Sequence, residues 1–146
     1  MRPSWITGYL QLPFQEHGRT RDGLDCYGLV RLILAEQQGI ALPSYAEDYA
    51  TTTDAEAIAA LVRGEVASAW REVPVSEARL CDVAILRMAG QPMHVGLVLD
   101  PPYFVHTMRG AWSCVERWDA LIWRKRLLGV VRWCGVNTNE PSVCVA

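Results

Sequence analysis

The chain has 146 residues, of which 51% are hydrophobic, and its formal net charge at pH 7 is -2. This length fits one domain that can bury a core of its own, and the composition excludes a disordered chain. So small a charge favours neither a nucleic-acid partner nor an anionic membrane surface. No apolar stretch approaches the roughly 18 residues of a membrane span, and the N-terminus lacks the apolar segment of a signal peptide. We therefore expect synthesis in the cytoplasm, without membrane insertion.

The first predicted helix begins at about Cys26 and ends before Gly39. Apolar residues recur there at helical spacing, Asp22 or Asp25 can cap the start, and Gly39 is a typical C-terminal stop. A second helix is predicted over residues 53–69, because a capping box at 53–56 precedes an apolar face.

After Pro74 the hydrophobic period becomes that of β-strands. Apolar runs bounded by turn residues predict strands at 82–86, 93–99, 103–107, 114–117 and 128–133. Helices followed by an antiparallel sheet indicate an α+β fold. Residues 1–135 are predicted to form a single domain, and residues 136–146 a loosely attached tail.

Five cysteines are spread along the chain without any Cys-x-x-Cys pair: Cys26, Cys81, Cys114, Cys134 and Cys144. Because their number is odd and a cytoplasm is reducing, free thiols are predicted in place of a disulfide framework. Four of them fit the role of small apolar residues. Cys26 differs because it stands at a predicted helix start, where the helix dipole favours the thiolate and lowers the pKa.

Two of the three histidines, His94 and His106, fall in neighbouring predicted strands. If these strands pair across the turn at 100–102, both imidazoles project from one face of the sheet. Packing the first helix on that sheet would place the Cys26 thiol and the two imidazoles in a row. In such a row His94 can take the thiol proton, while His106 fixes the tautomer of His94.

Other interpretations of these residues remain open. A buried cysteine near a helix start is more often a packing residue, and a histidine in an apolar strand is more often a hydrogen-bonded core residue. Zinc binding is a further alternative, although no pair among its candidate ligands has the close spacing typical of zinc sites. Those candidates are Cys81, His94, His106 and Cys114.

Several segments, taken in order, resemble the NlpC/P60 cysteine peptidases, which hydrolyse bonds in peptidoglycan stem peptides. Residues 25–28 (Asp-Cys-Tyr-Gly) resemble the Asp-Cys-Ser-Gly nucleophile motif of that family, with Tyr27 in place of serine. Residues 94–97 (His-Val-Gly-Leu) resemble the strand that carries the base. Residues 104–106 (Phe-Val-His) resemble the strand that carries a third polar residue.

The resemblance implies a papain-like α+β fold in which N-terminal helices pack on a small antiparallel sheet. It implies a cysteine peptidase with Cys26 as nucleophile, His94 as base and His106 as the orienting residue, without a cofactor or a metal. The implied target is the bond between D-γ-glutamate and the diamino acid of a stem peptide. The implied substrate-binding residues are Phe14, at the position of a family tyrosine, and Asp25, Tyr27 and Gly28.

Residues 17–19 (His-Gly-Arg), ahead of the nucleophile motif, are similar to the phage-tail branch of this family. This similarity implies other phage-tail proteins as partners, in a phage or a gene-transfer particle that acts on the cell wall or periplasm of a target cell. The missing export signal agrees with such delivery.

The alternative from another class is a structural or assembly protein of the tail tip with little or no hydrolase activity. A third alternative is a thiol acyltransferase or amidase that acts on a small molecule. Candidate attachment surfaces are the tail after Val136 and the tryptophan-rich C-terminal part, with Trp112, Trp118, Trp123 and Trp133. A core position for any one of these tryptophans is an equally favoured alternative.

Overall fold

The computed structural model describes residues 2–44, 70–88 and 91–135. These residues contain one α-helix, α1 (Cys26–Gln38), and two short 3₁₀ helices, Ser4–Tyr9 and Val75–Glu77. Their strands are β1 (Arg19–Thr20), β2 (Gly23–Leu24), β3 (Trp70–Val73), β4 (Val83–Met88), β5 (Gln91–Val98), β6 (Tyr103–His106), β7 (Cys114–Arg117) and β8 (Leu127–Trp133). The α+β prediction is confirmed, and β4 to β8 are the five predicted strands. The predicted helix at 53–69 and the tail at 136–146 lie outside the described residues.

Helix α1 begins and ends at the residues that its sequence indicates. The Asp25 carboxylate accepts a hydrogen bond from the backbone N–H of Gly28 at 2.8 Å, which satisfies one of the unpaired donors of the first turn. Gly39 follows the last turn with a φ of 66°, a left-handed conformation that costs glycine little. Among the described residues, no helix has the length and the apolar character that a membrane crossing needs.

Six of the strands form one antiparallel sheet in the order β3-β8-β4-β5-β6-β7. β5 and β6 pair through Leu97 with Val105 and through Val98 with Phe104. Because side chains alternate along a strand and opposite residues share a face, His94 and His106 lie on the same face. The prediction that both histidines project from one face is therefore confirmed.

The sheet separates two cores. The helix-side core packs α1 on one face; its sheet residues include Val95, Leu97 and Val105, and its α1 residues are Cys26, Leu29, Val30, Ile33 and Leu34. The aromatic core lies on the other face, where its largest members are Phe104, Trp118 and Trp123. Strand alternation thus sends neighbouring residues of β5 into different environments.

One cysteine departs from the predicted pattern of free thiols. Cys134 takes part in a disulfide bond, so the prediction was wrong for this residue. Cys26, Cys81 and Cys114 are free.

Candidate active site

Asp25 anchors the segment that leads into α1. Its side chain is fully buried and forms an ion pair with Arg19, whose Nη1 lies 2.9 Å from Oδ1. The backbone N–H groups of His17 and Gly28 also donate to this carboxylate, at 3.1 and 2.8 Å. A buried carboxylate with these donors holds the His-Gly-Arg loop against the helix start. The structure therefore places this predicted substrate-binding residue beneath the surface.

Gly28 lies where another side chain would not fit. A Cβ atom at this position would fall inside van der Waals contact with the carbonyl oxygen of Gly18. The glycine of the nucleophile motif is thus explained by the close approach of the His-Gly-Arg loop to the helix. Like Asp25, Gly28 is buried, so its local role is to shape the backbone.

Tyr27 and Phe14 flank the helix start and are both partly exposed. The Tyr27 hydroxyl donates to the carbonyl oxygen of Pro43 at 2.7 Å. A parallel β-bridge holds Phe14 beside Leu24. Leu24 lies two residues before Cys26. Of the four predicted substrate-binding residues, these two have surface that a substrate can reach.

Cys26 is the first residue of α1 and is only 6% exposed. Burial raises the pKa of its thiol to about 12, and Asp25 adds to the rise, although the backbone N–H groups of Val95 and Tyr27 favour the thiolate. The sequence predicted a lowered pKa from the helix dipole. That prediction is wrong for the free protein, because desolvation outweighs the dipole. Near neutral pH the thiol keeps its proton, so a base must remove it.

His94 and His106 are hydrogen-bonded to each other, with 2.8 Å between Nε2 of His94 and Nδ1 of His106. Burial lowers the pKa of His94 to about 3, and His106 lowers it further as a second cause. Burial also lowers the pKa of His106, although Glu116 opposes that shift. Both imidazoles are therefore neutral near neutral pH. Gly96 leaves room for the rings beside it, since a Cβ there would lie 2.6 Å from Cδ2 of Phe104 and 3.2 Å from the Cβ of His106.

Glu116, which the sequence analysis missed, extends this hydrogen-bonded chain. Its Oε2 lies 2.5 Å from Nε2 of His106. A carboxylate only accepts hydrogen bonds, so Nε2 of His106 carries a proton and its Nδ1 accepts. His94 must then donate from Nε2, which leaves a lone pair on its Nδ1. The geometry thus assigns the tautomer in which His94 can act as a base.

Trp123 covers the two imidazoles on the aromatic side. Its ring stacks on His94 with a centroid separation of 5.7 Å and an interplanar angle of 13°. It meets His106 edge-on, at 5.2 Å and 87°. Trp123 is 1% exposed and Trp118 is 7% exposed, so these two are core residues and not attachment residues, as one of the two predicted alternatives has it. The indole instead shields the His94–His106 hydrogen bond from water.

Trp112 and Trp133 differ from these two core tryptophans. Trp112 is 62% exposed, so it is the predicted attachment residue that presents a large apolar surface. Trp133 is partly buried and packs edge-on against Trp70, with 5.3 Å between ring centroids.

The Cys26 thiol packs in the helix-side core and contacts the backbone of the residue that follows His94. Cys26 packs in the helix-side core with Val95, whereas the two imidazoles contact Trp123 in the aromatic core. Since the N–H of Val95 belongs to the peptide bond with His94, the sulfur lies beside that peptide bond. Among the described contacts, no hydrogen bond joins Cys26 to His94. The structure therefore packs α1 on the face opposite the two imidazoles, and the predicted row of thiol and imidazoles stays a prediction.

The predicted zinc ligands are brought together only in part. Among the described residues, one group could hold a metal ion: His106, Cys114 and Glu116, whose ligand atoms all lie within 4.8 Å of one another. Neither Cys81 nor His94 belongs to this group. The group contains Glu116 in their place.

An α+β domain with a thiol at a helix start and an imidazole pair on the adjacent sheet has the elements of a papain-like fold. Residues 11–132 match the NlpC/P60 family, so the chain belongs to that family. No curated protein matches the chain.

Solved structures show the same fold at low sequence identity. The NlpC/P60 domain of the peptidoglycan hydrolase SagA is 19% identical, with a TM-score of 0.60, over 86% of this chain and 91% of that one. An NLP/P60-family protein described as similar to a lipoprotein, from Staphylococcus aureus, is 22% identical, with a TM-score of 0.60, over 87% of this chain. An NlpC/P60 family protein from Bacillus cereus is 15% identical, with a TM-score of 0.63, over 91% of this chain. The chain covers 38% of the staphylococcal protein and 41% of the Bacillus protein.

Proposed function

We propose that this chain is a cysteine peptidase that hydrolyses amide bonds of peptidoglycan stem peptides. The observation that carries this proposal is the hydrogen-bonded chain from Glu116 through His106 to His94, together with a free Cys26 whose sulfur lies at the backbone N–H of Val95, the next residue in β5. Membership of the NlpC/P60 family supports it, and so does the fold shared with a domain of a peptidoglycan hydrolase.

In the proposed mechanism Cys26 is protonated at rest, and His94 removes its proton as the sulfur attacks the substrate carbonyl. His94 then returns that proton to the leaving amine, and water hydrolyses the thioester. His106 and Glu116 keep the proton of His94 on Nε2 throughout. The backbone N–H of Val95 and of Tyr27, which favour a negative sulfur, lower the cost of removing the thiol proton.

The proposed target is the bond between D-γ-glutamate and the diamino acid, as the family resemblance implies. Partly exposed Phe14 and Tyr27 beside the helix start are the proposed substrate contacts. Because Phe14 has no hydroxyl, it would contribute apolar contact where the family has a tyrosine.

The direct test is incubation of the purified protein with defined muropeptides, followed by mass spectrometry of the products. We expect cleavage by the wild type and none by Cys26→Ala, while Cys81→Ala, the matched control at another free thiol, stays active. Product masses identify the bond. Equal products from the wild type and Cys26→Ala would refute the peptidase.

For its biological setting we propose a phage-like tail, in which the domain contacts other tail proteins and acts on the wall of the target cell. The His-Gly-Arg loop that packs against Asp25 supports this, because this variant of the motif is similar to the tail branch of the family. Exposed Trp112 is the proposed contact residue. Particles should retain the protein through purification, and Trp112→Ser should weaken that retention. A protein found only free in lysates would refute the setting and leave the peptidase untouched.

A further inference from the structure

Three side chains of different metal-binding chemistry share one face of β6 and β7. His106 of β6 lies directly opposite Cys114 of β7, and Glu116 follows Cys114 by two residues on the same face. Their ligand atoms lie within 4.8 Å of one another. The imidazole is buried, whereas the thiol is exposed and the Glu116 side chain is 38% exposed. An ion could thus reach this group from solvent.

The donor set matches a borderline-soft divalent cation. Imidazole nitrogen, thiolate sulfur and carboxylate oxygen are the three ligand types of protein zinc sites. Zinc–ligand distances of about 2.0–2.3 Å require ligand atoms roughly 3.3–3.6 Å apart in a tetrahedron. Here Glu116 Oε2 lies 2.5 Å from Nε2 of His106 and 4.0 Å from Sγ of Cys114. To hold an ion, the exposed carboxylate would move about 1 Å away from His106, and the exposed Cys114 thiol would close on Nε2 of His106, because the three ligand atoms now lie within 4.8 Å of one another.

We propose that His106, Cys114 and Glu116 form an inhibitory site for Zn²⁺ or a similar thiophilic divalent cation. The binding part stands on the geometry alone. The inhibition part rests on the proposed function, because it acts through the base of the peptidase.

The inhibition follows from where the protons must lie. A cation on Nε2 of His106 replaces the proton that Glu116 accepts there, and Cys114 releases its thiol proton to solvent. His106, still neutral, then carries its proton on Nδ1 and donates it to Nε2 of His94. His94 in turn carries its own proton on Nδ1, the nitrogen on which the mechanism needs a lone pair. One bound cation therefore reverses both tautomers and removes the base without touching Cys26.

Binding can be measured without any activity. Cobalt(II) serves as the probe, because its bond to thiolate gives a charge-transfer band in the near ultraviolet. The Cys26→Ala protein excludes coordination by the nucleophile, and we expect it to show the band at one equivalent of cobalt. Cys26→Ala/Cys114→Ser should lose the band, while the matched control Cys26→Ala/Cys81→Ser should keep it. A band that survives loss of Cys114, or no band in any variant, would overturn the site.

Inhibition is measured with the muropeptide assay in the presence of Zn²⁺ alone. Cys114→Ser should keep its basal rate and need at least about tenfold more zinc for half inhibition, since a ligand has been lost. A chelator should restore the wild-type rate. Equal zinc sensitivity of the wild type and Cys114→Ser would overturn the inhibitory role. If no variant cleaves any muropeptide, the proposed function fails, while the cobalt experiment still decides the metal site.

Discussion

The two faces of the sheet use neighbouring residues of the same strands for different purposes. On the helix side, Val95 and Leu97 of β5 pack against α1 in an aliphatic core. On the aromatic side, His94 and His106 form a buried hydrogen-bonded pair under Trp123. One face is stabilised by burial of apolar surface, and the other holds two polar rings whose desolvation is offset by hydrogen bonds. Substitutions of helix-side residues should therefore lower stability, and substitutions of the two histidines on the aromatic side should lower activity.

Thiol labelling should distinguish the buried thiol of Cys26 from the exposed thiol of Cys114 by a large factor in rate. With its pKa raised to about 12 by burial, Cys26 of the free protein holds almost no thiolate near neutral pH. We expect iodoacetamide to modify it at least about 100-fold more slowly than exposed Cys114. Peptide mapping after timed labelling measures both rates, and Cys114→Ser provides the control. Cys26 labelled first would mean that the helix dipole outweighs burial after all.

His94→Ala should reduce kcat on the order of 10²–10⁴, the usual contribution of a positioned acid–base group. His94 lies on the aromatic face, so α1 and its core should remain intact. Far-ultraviolet circular dichroism and the muropeptide rate measure the two effects together. A folded variant with a nearly normal rate would remove His94 from the mechanism.

Leu97→Ala is the matched substitution on the helix side of the same strand. Leu97 is fully buried, so the free energy of unfolding should fall by about 2–5 kcal/mol. Denaturant titration measures this loss. In protein that remains folded, kcat should stay close to that of the wild type, because no side chain of the imidazole pair is altered. A large fall in kcat for folded Leu97→Ala would show that the two faces are not independent.

The helix caps, the strand pattern and the shared face of the histidines could be predicted because local residues determine them. Asp25 and Gly39 mark the ends of α1, and strand alternation decides the faces of His94 and His106. Glu116 could not be found this way, because its contact depends on the register across the long turn between β6 and β7. An acidic residue two positions after Cys114 was the available signal.

Burial is the other quantity that local patterns do not determine. The pKa of Cys26 depends on how closely β5 packs over the helix start, and a helix-dipole argument contains no such term. Trp123 likewise directly precedes a basic segment at 124–126, which favours a surface position, yet it is 1% exposed. Both errors arise from tertiary packing.

Glu116→Gln tests whether the carboxylate orients the imidazole pair. An amide can still accept a hydrogen bond from His106, but it can also rotate and donate, which allows the wrong tautomer. We expect about a tenfold loss of kcat with KM little changed, an effect smaller than that of His94→Ala. Glu116→Asp, which keeps an acceptor-only carboxylate, should recover part of the rate. Nitrogen-15 NMR shifts of the ring nitrogens report the tautomers, and unchanged shifts in Glu116→Gln would contradict an orienting role.

Among these substitutions Trp123→Phe should have the smallest effect. The effect should appear in the pH dependence of kcat/KM. Burial lowers the pKa of His94 to about 3, and Trp123 supplies part of that burial by stacking on the ring. A smaller ring admits water, so the pKa of His94 should rise toward its ordinary value of about 6.5. The base works only when unprotonated, so the acid limb of kcat/KM should move to higher pH, while the rate near pH 8 should change little.

Trp112→Phe, at a 62% exposed position, is the control and should leave the profile unchanged. An acid limb that stays fixed or moves to lower pH in Trp123→Phe would show that the indole does not set the environment of the base.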